Sequence, residues 1–218
     1  MTNRHKRFWL ITCTLALACH SAAANLVSLD SAFGPGTITL DQSTGLRWLD
    51  LTLTTPYTFN QAVAQTGVGG LFEGFHIASG DEVFQLWKDA GIDVGFVGVF
   101  TTQNFVPVTN LMTLVGGPLS HEGNLGGGNF FDYTVGYVTD VHTPDWYTLA
   151  SLSADPDPTL TGRASFGEIP ISQEVVGQQG SWLVTSVPEP SSLLLLGSGL
   201  FTAACRLRKR ARQTMDRA

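Results

Sequence analysis

Three histidines lie in the middle of the chain: His76, His121 and His142. Imidazole is the commonest metal ligand and the usual general base, so their spacing is the first question. They are scattered, with no His-x-x-x-His pair and no His-Glu-x-x-His helix. That spacing does not build a zinc site. Serine, histidine and aspartate are all present, but no Gly-x-Ser-x-Gly elbow frames a nucleophile. A triad assembled only in space stays open, because its members need not be close in sequence. Ser153-Ala154-Asp155-Pro156-Asp157-Pro158 reads as an exposed, proline-stiffened acidic loop. With Asp140 and Asp145 it offers oxygen ligands for calcium, although EF-hand spacing is missing and a solvated loop is the simpler reading. Trp48, Trp87, Trp146 and Trp182 are either core rings or, in part, a sugar-stacking platform. No catalytic residue, metal ligand or cofactor is assigned from these patterns, and the domain is expected to be non-enzymatic.

The two ends carry a clearer message. Met1 to Asn25 opens with Arg4, Lys6 and Arg7, continues with the apolar run Phe8–Cys19, and closes on Ala22, Ala23 and Ala24. This is the layout of a secretory signal peptide. Cleavage is expected after Ala24, with Ala22 and Ala24 as the small recognition residues and Asn25 as the new N-terminus. A lipoprotein cut before Cys19 would want Leu three residues earlier, where Ala16 stands.

Near the other end, Val187-Pro188-Glu189-Pro190 precedes the uncharged stretch Ser191–Cys205. As a helix this stretch would be roughly 22 Å long, short of a ~30 Å hydrocarbon core, so it is expected to be a marginal transmembrane helix. Arg206, Arg208, Lys209, Arg210 and Arg212 follow at once, a basic stop that holds its end on the cytoplasmic side. The domain before it is then outside, as the signal peptide requires. Proline at 188 and 190 fixes φ and removes two donors, keeping the motif extended ahead of the span.

A Pro-Glu-Pro, a weak span and an Arg-rich end, in this order, resemble the PEP-CTERM sorting signal of Gram-negative bacteria. The resemblance covers Val187 to about Arg212. It implies an inner-membrane intermediate with a periplasmic domain, then cutting near the motif by the membrane protease exosortase and delivery to the cell surface or beyond. The implied partners are the Sec export machinery, signal peptidase, exosortase and, transiently, the inner membrane. Association with exopolysaccharide or biofilm is also what the resemblance implies.

Between the ends lies one expected domain, residues 25–186, with the signal peptide at 1–24 and the sorting signal at 187–212. It holds three Lys and Arg against sixteen Asp and Glu, a net charge of −13, and no cysteine. So acidic a domain repels phosphate backbones, which argues against nucleic-acid binding. Without cysteine it has no disulfide, so its core must hold it together.

The pattern predicts an α+β fold. Thr37–Leu40 and Leu46–Asp50 form a hairpin around turn residues 41–45. Capping boxes at Thr58/Gln61 and Ser79/Glu82 start helices running about 59–66 and up to Gly91. A third helix is expected over about 108–114. Gly116–Gly128 reads as a surface loop without the Lys-Ser or Lys-Thr of a P-loop. Tyr133–Val138, Trp146–Leu152 and Ser181–Thr185 read as strands.

Ser43–Leu51, Gly74–Val83 and Gly180–Val184 resemble the opening motif, helix entry and closing strand of a bacterial extracellular domain family related to C-type lectin-like folds. That resemblance implies paired first and last strands with helices and a long loop region between. His76 and Ala78 depart from it, where Arg and Pro are usual. The functional reading is an adhesion or polysaccharide-associated surface module; the alternative is a secreted hydrolase acting on polymer.

Overall fold

The structure is a computed structural model. It describes residues 25–123, 130–139, 146–156, 160–174 and 176–186. Among them two sheets, antiparallel but for one short parallel pairing, and three α-helices make one mixed domain, mostly strand.

The first sheet is built from β1 (Leu26–Ser31), β2 (Gly34–Asp41), β3 (Leu46–Leu49), β4 (His76–Ile77) and, arriving last in the chain, β10 (Leu183–Ser186). Its order is β1-β2-β3-β10-β4. The expected β2–β3 hairpin is present, with Ile38 opposite Leu49 and Leu40 opposite Arg47. Asp41 closes its turn by accepting from the Ser43 N–H at 2.9 Å and the Thr44 hydroxyl at 2.7 Å. Gly45 takes φ +74°, a conformation that costs a side-chain-bearing residue more.

The strand that carries the opening motif, β3, pairs with the last strand, β10, but it is not the first strand of the domain. Leu26–Ser31 forms an additional edge strand against β2, and β10 lies between β3 and β4. The β1–β2 turn is short enough that β1 folds back on its own neighbour, leaving β3 as the free edge for β10.

The helices start where their caps stand. In α1 (Phe59–Gln65), Thr58 and Gln61 form a complete capping box. In α2 (Gly80–Asp89), Ser79 and Glu82 do the same. Gly91 follows at φ +82° and ends the helix. The third helix, α3 (Phe105–Leu114), begins a turn earlier than the pattern suggests. Pro107 sits in its first turn, where a missing N–H costs nothing, so it does not mark the boundary.

The second sheet contains β5 (Ser120–Gly123), β6 (Phe130–Val138), β7 (Trp146–Asp155) and β8 (Thr161–Pro170) in that order, with β9 (Gly180–Ser181) parallel to β6. Three expectations change here. Part of the expected loop 116–128 is β5, paired with β6 from Ser120↔Tyr133 to Gly123↔Phe130. Ser153-Ala154-Asp155 is the end of β7, not exposed loop, and Ser153 is fully buried. The expected strand 181–185 is interrupted at Trp182, where the chain passes from one sheet to the other.

Trp182 seals that seam. Its N–H donates to Tyr137 O at 3.0 Å, its carbonyl accepts from Ala78 N at 2.7 Å, and its indole N–H reaches Ala150 O at 3.0 Å. Its ring meets Trp48 edge to face, with centroids 6.1 Å apart. Such a pair adds about 0.5–1.5 kcal/mol beyond the area it buries. Ala78 must donate here, a bond proline cannot make.

The core has two parts. Trp48, Trp87, Trp182 and the apolar faces of α2 and α3 form one. Phe59, Phe72, Tyr137 and Tyr147 form the other with Ile38, Leu49 and Leu183.

Among the described residues no helix is long and apolar enough to cross a membrane. The expected span at 191–205 lies outside them.

Candidate functional site

Among the described residues, two concave regions and two histidine–carboxylate pairs gather chemistry-bearing side chains.

The larger cavity, of about 510 Å³, lies against the face of the first sheet that carries Ile38 and Arg47. Leu29, Ile38, Phe33 and Phe75 line its apolar part, and Arg47, Asp30 and Glu73 bring charge to it. Phe33 and Phe75 meet edge to face at 6.4 Å. β-strand alternation puts Arg47 on the same face as Leu49, two residues on, so a charge stands beside a core position. Asp30 and Glu73 are each steadied by a backbone N–H, from Gly36 and Gly69, both at 2.9 Å. Among the described residues Arg47 is in no ion pair.

The smaller cavity, of about 320 Å³, is polar. It is lined by Ser120, Phe131, Tyr133, Arg163, Gln178 and Gln179. Strand register explains the grouping. Ser120 is opposite Tyr133, Tyr133 opposite Ser153, and Ser153 opposite Arg163, so one cross-strand row runs across β5, β6, β7 and β8. Arg163 lies over the Phe100 ring, 4.4 Å from its centroid. Its Nη2 is 3.5 Å from the Ser153 hydroxyl, at the limit of a hydrogen bond.

The histidine pairs have a structural geometry. His76 Nε2 meets Glu82 Oε1 at 3.1 Å, while the other Glu82 oxygen accepts from the Ser79 N–H and hydroxyl at 2.8 and 3.0 Å. The order is histidine, carboxylate, serine. A triad needs histidine between the other two, so this constellation caps a helix and does not activate Ser79. Partial burial pushes the Glu82 carboxyl up. The Ser79 N–H, His76 and the Ser79 hydroxyl outweigh that and hold it below its ordinary value. His121 Nδ1 meets Asp132 Oδ1 at 2.8 Å as a cross-strand pair on β5 and β6. His142 lies outside the described residues.

Of the tryptophans, Trp48, Trp87 and Trp182 are core, at 1%, 0% and 0% exposure, whereas Trp146 is 39% exposed. Among the described residues no three His, Cys, Asp or Glu side chains are grouped to hold a metal ion. Asp155 ends β7, and Asp140, Asp145 and Asp157 lie outside the described residues.

Two carboxyl sites are displaced upward. Burial, unrelieved by any hydrogen bond to Oδ1 among the described residues, raises Asp50 to about 6. Burial and the adjoining Asp41 carboxylate also raise Asp89, against a Gln85 bond that lowers it. None of these three acids lines either cavity.

Of the residues assigned to processing, Asn25 alone is described. It is exposed, its carbonyl accepts from Gln42 N at 2.8 Å, and β1 starts at the next residue. Ala22, Ala24, the motif Val187–Pro190 and the basic residues Arg206, Arg208, Lys209, Arg210 and Arg212 lie outside the described residues.

Neither cavity was visible in the sequence as a site. Arg47 and Arg163 offered one clue, being two of the three basic residues in an acidic domain. Their neighbours are brought together only by strand register.

Residues 186–209 match the PEP-CTERM protein-sorting motif. The chain therefore carries the signal of an exosortase substrate, sorted at the membrane and exported toward the cell surface of a Gram-negative bacterium. The match begins at Ser186, the last residue of β10. The chain matches no curated protein and no solved structure. The lectin-like resemblance has no support from either.

Proposed function

We propose that this is a surface module that, once sorted by exosortase, adheres to extracellular polysaccharide without catalysing a reaction. The observation that carries the binding half is the groove on the first sheet. A sugar ring offers an apolar face and a rim of hydroxyls. The groove offers Phe33 and Phe75 below, and Arg47, Asp30 and Glu73 as both donor and acceptors. Polar groups around an aromatic floor are what orient such a ligand in a cleft of this size.

The hydrolase alternative requires a raised carboxyl inside a cleft. Asp50 is raised, yet it lines neither cavity, so adhesion is the better-supported reading.

The test is co-sedimentation of the protein with a panel of insoluble polysaccharides, and with polymer from an exosortase-bearing host. Binding that drops at least about tenfold in Arg47→Ala, at an unchanged melting temperature, supports the reading. An Arg47→Ala protein that binds as well as wild type removes the groove from it. Release of soluble sugars with time would instead establish the hydrolase. Sorting is tested by intact mass in hosts with and without exosortase. A product ending near Val187–Pro190 only with exosortase is expected; one keeping its Arg-rich end in both would overturn the processing.

A further inference from the structure

We propose that the polar cavity of the second sheet is a separate site for a small hydroxylated carboxylate, of the size of one sugar-acid residue. Its donors exceed its acceptors, and none of its lining residues is an acid. Arg163 supplies the one formal charge. Its Nε has no partner among the described residues, and its Nη2 has only the 3.5 Å contact to Ser153. Nε is closed to solvent, so the cavity can be served only by the Nη1–Nη2 end of the guanidinium, also a fork that a carboxylate fills with two parallel bonds. Phe100 lies 4.4 Å from the guanidinium carbon and uses up none of its N–H donors.

The rest of the wall fits the same ligand. The Tyr137 hydroxyl donates to Gln179 Oε1, which leaves Gln179 two N–H donors and one acceptor lone pair to offer. Ser120 Oγ is a second polar atom without a partner among the described residues. Phe131 and Tyr133, edge to face at 6.5 Å, bring ring surface to a cavity otherwise polar. A cavity of about 320 Å³ holds one such residue but not a folded peptide or a nucleotide chain. The acidic charge of the surrounding domain acts over distances that salt screens within about 8 Å, whereas the fork acts in contact.

This site shares no residue with the groove of the first sheet, so it stands or falls independently of polysaccharide adhesion there. The experiment is titration calorimetry of the whole protein with glucuronate, glucose and acetate, in wild type, Arg163→Gln, Arg163→Lys and Ser120→Ala. The expected result is glucuronate binding at least about tenfold tighter than glucose or acetate, weakened by salt. Arg163→Gln should lose that tenfold. Arg163→Lys should recover only part of it, since an ammonium cannot form the fork. Ser120→Ala, which leaves the Arg163–Phe100 stack alone, should weaken binding severalfold and keeps the test valid if the Arg163 variants fail to fold. Glucose binding as tightly as glucuronate, or unaltered binding in Arg163→Gln, would overturn the assignment. Absence of heat with every ligand at millimolar concentration would overturn it as well. Arg47→Ala should leave glucuronate binding unchanged.

Discussion

Replacing Asp50 by Asn should stabilise the domain at neutral pH and leave it nearly unchanged in acid. Asp50 follows β3 at 9% exposure, with its N–H donating to Thr37 O at 3.1 Å and its Oδ1 without a partner among the described residues. It precedes a 3₁₀ turn at Leu51–Leu53 yet makes no side-chain cap bond to it. Oδ1 therefore loses water and receives nothing in exchange, and burial raises the carboxyl pKa from 3.8 to about 6. The neutral form is the one the fold prefers. Stability from this group is complete below the unfolded value of 3.8. It falls as pH rises toward about 6 and stays at the lower level above that. A displacement of about two pH units corresponds to about 2–3 kcal/mol at pH 7.

Asparagine keeps the shape and removes the charge. Urea titrations followed by emission of the buried tryptophans would measure the difference. At pH 7 the Asp50→Asn midpoint should be higher by about 1 M, taking an m-value of about 2 kcal/mol/M. At pH 4 the two curves should nearly coincide. Asp89, raised in the same direction, titrates in both proteins, so the difference between them isolates Asp50. Parallel pH profiles, with wild type and variant separated by a constant amount from pH 4 to 7, would refute the account of Asp50 as a buried, unpartnered carboxylate.

Gly162→Ala should cost about 1–3 kcal/mol or more, read as a lower melting temperature, because a Cβ there would stand 2.4 Å from Asn104 O. The same change should displace Arg163 and so weaken any ligand of the polar cavity. Glu82→Gln keeps a capping-box side chain but removes the charge whose pKa the fold depresses. Its stability contribution is present above the unfolded value near 4.5 and lost as pH falls through the lower folded value, so the variant should show a flatter acid limb in pH-dependent melting. Ser79→Ala removes the partner of the Glu82 N–H and should cost about 1 kcal/mol in denaturant unfolding. A chain ending at Ser186 keeps β10 whole but loses the matched motif; cell fractionation should find it folded in the periplasm and absent from the membrane.

Local chemistry was legible in the sequence and tertiary geometry was not. Both complete capping boxes, at Thr58/Gln61 and Ser79/Glu82, could be read from residues three apart, because a helix N-terminus is satisfied by its own neighbours. The β2–β3 hairpin was legible for the same reason, its turn being closed by Asp41 within three residues. The sorting motif was legible because it is a linear signal whose meaning lies in residue order. The strand β5 was not, since Ser120–Gly123 lies in a glycine-rich stretch and becomes a strand only through pairing with β6. Nor was the break at Trp182, which exists because two sheets converge on one indole. The two cavities belong to this second kind. Arg163 meets Phe100 and stands in one row with Ser153, Tyr133 and Ser120 through the register of β5 to β8, and pairing between distant segments decides that register.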